Sequence, residues 1–132
     1  MPRNKKILIV DDEPDVIDYL TAVFEDNGYE VASATSGKEA FKLARSFSPS
    51  LITLDITMPD QTGVKTYLDI KNDPDLANIS IIVITATVNS EQSFLGLLDG
   101  FPGPEGFFNK PINTKELLKL SERMTTGSAD SA

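Results

Sequence analysis

Five short strand-like stretches, most of them apolar runs and one alternating, punctuate the chain. They are "KILIV" (Lys6 to Val10), "YEVASA" (Tyr29 to Ala34), "LITL" (Leu51 to Leu54), "IIVIT" (Ile81 to Thr85) and "FFN" (Phe107 to Asn109). Each predicts a strand. Between them the apolar residues recur at helical spacing instead. Val16, Ile17, Leu20, Val23 and Phe24 form one stripe behind Pro14, a residue suited to the first helical position. Asn27-Gly28 closes that helix, because glycine fits the left-handed residue past a helix end. Ser36 with Glu39 makes a capping box for a second helix carrying Ala40, Phe41, Leu43, Ala44 and Phe47, and Pro49 marks its exit. Gly63 precedes a third helix with Val64, Tyr67, Leu68 and Ile70. A short fourth helix is expected over Glu91 to Leu98. A fifth starts at Asn113 with Glu116 and runs through Leu117, Leu118 and Leu120 to about Met124.

Strands that alternate with helices predict an α/β fold, a parallel sheet with helices on both faces. "IIVIT" has no polar alternation, as expected of a strand buried on both faces. The 132 residues fit one domain, with no internal repeat and no second core. Residues 1–4 are expected to be disordered, residues 5–124 to form the domain, and residues 125–132, "TTGSADSA", to be a flexible tail or the start of a linker.

Composition then narrows the chemistry. There is no cysteine and no histidine. Thiol redox chemistry, Ser/His and Cys/His nucleophile pairs and the commonest zinc ligand are excluded. The net charge is −8, and no basic patch is visible, which argues against nucleic-acid binding. No apolar run approaches the roughly 18 residues of a membrane span, and "MPRNKK" precedes too short an apolar stretch for a signal peptide. A cytoplasmic location is the expectation.

Ligands of a parallel α/β sheet bind outside the carboxyl ends of its strands. The residues there are Asp11, Asp12 and Glu13 after the first strand, Asp55 after the third, Thr85 after the fourth and Lys110 after the fifth. Each has an ordinary explanation alone: acids suit a helix N-terminus, a lone Asp caps a turn, and Lys-Pro is a common turn. Together they are specific. Carboxylates converging on one edge need a counter-charge. Oxygen-only ligands favour Mg²⁺, which works beside phosphate. A carboxylate flanked by a metal, a lysine and a hydroxyl is equipped to receive a phosphoryl group.

The segments "ILIVDDEP", "LITLDITMPDQTG", "IIVITA" and "FFNKP" resemble the receiver domain of two-component response regulators over essentially Lys5 to Met124. The resemblance implies a doubly wound, flavodoxin-like or CheY-like five-stranded parallel sheet in the order 2-1-3-4-5. It implies that Asp55 is the phosphoacceptor. It implies that Asp11, Asp12, Asp55 and the backbone carbonyl of Thr57 bind Mg²⁺ (or Mn²⁺), and that Thr85 and Lys110 contact the phosphoryl group. Lys110-Pro111 would be a cis peptide. Phe107 falls at the aromatic switch position, although a core phenylalanine reads equally well there. Thr57 and Thr87 fall where the family tunes phosphoryl lifetime. Neither offers an amide or carboxylate to orient water, so slow self-dephosphorylation is expected. The implied partners are a histidine kinase or histidine phosphotransfer protein, and a homodimer on activation. Catalysis would extend only to the domain's own phosphorylation and dephosphorylation.

One departure stands out. The 25 positions from Thr85 to Lys110 exceed the usual family spacing, with the excess in "LLDGFPGPEG" (residues 97–106) and the insertion placed at residues 99–106. The fourth helix should therefore be short or distorted, and no particular dimer mode carries over. Rival readings are weaker. An aspartyl phosphohydrolase wants an acid two residues after the nucleophile, where Thr57 stands. "DDEPD" would repel the phosphate of a flavin nucleotide, and no glycine-rich nucleotide motif is present. A receiver-like interaction module that is never phosphorylated is the remaining alternative.

Overall fold

The computed structural model describes residues 5–57, 62–86, 90–98 and 100–127. The strands are β1 (Lys6–Val10), β2 (Glu30–Ala34), β3 (Leu51–Asp55), β4 (Ser80–Thr85) and β5 (Gly106–Asn109). The helices are α1 (Pro14–Asp26), α2 (Gly37–Phe47), α3 (Thr62–Asn72), α4 (Ser90–Gly96) and α5 (Thr114–Glu122). The sheet is wholly parallel in the order β2-β1-β3-β4-β5. The strand order reverses between β1 and β3, which puts the switch point at the carboxyl ends of those two strands.

Strand periodicity sorts the core into two layers. Leu8, Val10, Ile52, Leu54, Ile81 and Val83 pack on one face with Ala40 and Ala44 of α2, Tyr67 and Ile70 of α3 and Phe94 of α4. Ile7, Ile9, Leu51, Ile82 and Ile84 pack on the other with Ile17, Leu20 and Phe24 of α1 and Leu117 of α5. β3 and nearly all of β4 are buried on both faces, as the unbroken apolar runs require. Each such side chain contributes about 1.5–3 kcal/mol by leaving water.

Local chemistry sets the helix ends. Gly28 has φ +88°, and the chain leaves α1 through a Schellman motif: Tyr29 N–H donates to Phe24 O and Gly28 N–H to Glu25 O. Tyr29 also packs edge-on against Phe24. That use of its N–H is why β2 starts at Glu30 rather than at Tyr29. Ser36 Oγ caps Glu39 N–H at α2, while the Glu39 carboxylate accepts from Thr35 N–H, one residue outside the usual box. Asn113 caps α5 through Glu116 N–H. α4 has seven residues, because Leu97 and Leu98 N–H turn to the tighter partners Phe94 O and Leu95 O. The chain stays helical past Glu122 in one π-type turn, Arg123–Gly127, where Thr125 Oγ1 donates to Ser121 O.

The glycine-rich connection from α4 to β5 is tied down. Tyr67 Oη donates to Pro102 O at 2.6 Å, and Phe101 packs on the core beneath. Glu105 grips the second residue of β4, its N–H donating to Ile81 O and its carboxylate accepting from Ile81 N–H.

Gly63 lies inside the first turn of α3 rather than before it. A Cβ there would stand 2.5 Å from Ile56 Cα and 2.7 Å from Asp55 O. These are backbone atoms of the strand end that carries Asp55, so no side-chain rotation relieves the clash. Gly63→Ala is expected to cost roughly 2 kcal/mol or more in urea denaturation. An unchanged midpoint would show that α3 docks on β3 less closely than this.

Candidate functional site

Backbone hydrogen bonds carry the ladders past the strand ends and fix the residues that follow. Asp11 N–H donates to Ala34 O, Ile56 N–H to Ile84 O, and Lys110 N–H to Thr85 O at 2.8 Å. Asp11 and Asp55 are buried, each 2% exposed, and Asp12 is half-buried beside them. One carboxylate oxygen from each of Asp11, Asp12 and Asp55 lies within 4.8 Å of the others. The Lys110-Pro111 peptide is cis.

Lys110 reaches into this group. Its Nζ lies 3.1 Å from Asp11 Oδ2, 3.1 Å from Asp55 Oδ2 and 2.6 Å from Glu13 Oε1. Burial works against the ammonium, but the bonds to Glu13, Asp11 and Asp55 outweigh it and hold its pKa above the ordinary lysine value. The other oxygen of Asp55, Oδ1, accepts from Thr57 N–H at 2.7 Å and from Thr57 Oγ1 at 2.6 Å. Thr57 Oγ1 in turn accepts from Ala86 N–H, which ties the loop after β3 to the one after β4. Both oxygens of Asp55 are therefore engaged and aimed.

Thr85 is fully buried at the end of β4. Phe107 pairs with Val83 of β4, and its ring lies 6.0 Å from that of Phe94, which meets Tyr67 edge-on at 5.1 Å. Thr87 and the segment 58–61 lie outside the described residues. The sequence contains Glu13 beside the two aspartates but gives no sign of its ion pair with Lys110, which depends on the bend into α1. It likewise gives no sign of the Thr57 hydroxyl bond, since Thr57 enters there only through its backbone carbonyl and its lack of an amide or carboxylate. Two cavities among the described residues lie elsewhere. One of about 480 Å³ sits between α2 and α3, lined by Lys38, Phe41, Lys42 and Lys65. Another of about 610 Å³ sits between α3 and α4. Neither contains the carboxylates.

The family description "response regulator receiver domain" matches residues 7–122. The chain belongs to that family. It is 30% identical to protein PilH of Pseudomonas aeruginosa, over 92% of this chain and 98% of PilH. It is 32% identical to the alkaline phosphatase synthesis transcriptional regulatory protein PhoP of Bacillus subtilis, covering 86% of this chain but 45% of PhoP. Among solved structures it is similar to the chemotaxis response regulator CheY4 of Vibrio cholerae, with a TM-score of 0.79, 28% identity, and coverage of 92% and 99% of the two chains. The sheet order expected from the sequence is the one found, and the fold is CheY-like. No helix among the described residues is long and apolar enough to cross a membrane.

Receiver domains carry an acidic pocket of this type, and its charge balance is testable. Burial, reinforced by the Asp55 charge and only partly offset by Glu13 N–H and Lys110, raises the Asp11 carboxyl from 3.8 to about 6. Between those values the folded metal-free protein holds a proton that the unfolded chain has lost. Stability contributed by Asp11 is therefore present below about pH 4 and is lost as pH rises to about 6. The loss is on the order of 3 kcal/mol. Thermal melts of metal-free protein from pH 4 to 7 should show this slope, and Asp11→Asn should remove it. A variant with the wild-type slope would contradict the assignment.

Proposed function

We propose that this receiver domain accepts a phosphoryl group on Asp55 from the phosphohistidine of a histidine kinase or phosphotransfer protein. The Asp55 carboxylate oxygen forms the new bond to phosphorus, and the bond from phosphorus to the donor imidazole nitrogen breaks. The observation that carries the reading is the convergence of Asp11, Asp12, Asp55 and Lys110 at one strand edge. The oxygen-only donor set suits Mg²⁺ or Mn²⁺, held by Asp11, Asp12, Asp55 and the Thr57 carbonyl. When bound, the cation supplies positive charge to the transferring oxygens.

The chain's own residues do the rest. The N–H and hydroxyl of Thr57 hold Asp55 Oδ1, so the carboxylate presents one defined face. Lys110 provides a fixed positive charge where charge accumulates on the phosphoryl oxygens. Thr85 supplies the hydroxyl that follows the phosphoryl group. Phe107 turns with it and repacks against Phe94, whose ring meets Tyr67, the residue bonded to Pro102. That series of contacts leads from the site to the glycine-rich segment beside α4. Catalysis in this reading extends to the domain's own phosphorylation and dephosphorylation and to no other substrate.

Incubation with Mg²⁺ and acetyl phosphate should add one phosphoryl group by intact mass. Asp55→Asn should abolish the gain, and Lys110→Ala should reduce its rate by at least about tenfold, the scale for a lost transition-state charge contact. No gain in the wild type would favour a module that binds partners without phosphorylation.

A further inference from the structure

Lys110 and a divalent cation would draw on the same carboxylates. The ammonium lies 3.1 Å from Asp11 Oδ2 and 3.1 Å from Asp55 Oδ2, on two of the three carboxylates that would hold the metal. Loading a cation there removes the lysine's two buried counter-ions and sets two positive centres side by side. Yet the lysine has to remain for the phosphoryl group. A third partner resolves the conflict. Glu13 Oε1 accepts from Lys110 Nζ at 2.6 Å, the shortest of the three contacts. Glu13 is not part of the Asp11, Asp12 and Asp55 group, and its side chain is 59% exposed at the mouth of the site. Its backbone is pinned, because Glu13 N–H donates to Asp11 Oδ1 at 2.9 Å. The side chain makes no capping bond to α1, although Glu13 is the N-cap residue. It is thus committed to Lys110 rather than to the helix.

We propose that Glu13 is a positioning residue: it draws the Lys110 ammonium toward the mouth, so that Asp11 and Asp55 can be taken over by a divalent cation while the lysine stays in place. This rests on the receiver reading of the carboxylate trio. Without Glu13, the ammonium falls back onto Asp11 and Asp55 and competes with the metal. Glu13 then acts on the cation through Lys110, not by its own charge.

A double-mutant cycle separates the two. Mg²⁺ alone is titrated calorimetrically into wild type, Glu13→Gln, Lys110→Met and the double variant, with thermal melts to confirm folding. Glu13→Gln should weaken Mg²⁺ binding by about fivefold, the scale of coupling between contacting charges. In the Lys110→Met background the same substitution should change affinity by less than about twofold. Equal weakening in both backgrounds would mean that Glu13 attracts the metal directly, and no weakening in either would mean that it positions nothing; each result overturns the proposal. Wild-type protein that binds no Mg²⁺ would overturn the metal-loading reading first, and this inference with it.

Discussion

Everything at the working edge of this domain depends on one electrostatic constraint. Carboxylates are held at the ends of buried parallel strands, and Lys110 is the cation that lets them stay there. Two of those carboxylates are nearly inaccessible to water, so their repulsion is weakly screened. The apolar sheet beneath cannot relax to separate them. β3 is buried along its whole length, and Gly63 brings α3 against its final residues. The site is consequently a set of closely spaced charges on a rigid support.

Backbone pairing also ties the strand ends to one another. Asp55, Thr85 and Lys110 stand at the ends of three adjacent strands, tied across by Ile56 N–H to Ile84 O and Lys110 N–H to Thr85 O. The aromatic contacts from Phe107 to Phe94 to Tyr67 run along the same side of the sheet. They end at Pro102, inside the glycine-rich segment between α4 and β5. In this molecule the glycine-rich segment is anchored to the core at Phe101 and to β4 at Glu105.

Most of the fold was legible because its strands and helices are locally consistent. "IIVIT" and "LITL" could hardly be other than buried strands, and the caps at Ser36, Asn113 and Gly28 lie where turn chemistry puts them. The misses have physical causes. α4 ends two residues before the expected Leu98, because a tighter turn captures the last amides. The residues at the strand ends were legible because fold class alone makes those positions a site. Contacts between side chains from different strands were not. Glu13 acquires Lys110 only when the ends of β1 and β5 are brought to one edge, whereas the Thr57 hydroxyl bonds Asp55 two residues away and depends on the local bend after β3.

The most direct test of the central constraint is the stability of Lys110→Met at pH 7.5, with and without Mg²⁺. The account predicts that the metal-free variant loses about 3 kcal/mol, because buried carboxylates are left without their cation. Saturating Mg²⁺ should then stabilise the variant more than it stabilises the wild type. A metal-free variant as stable as the wild type, with the same gain from Mg²⁺, would contradict it.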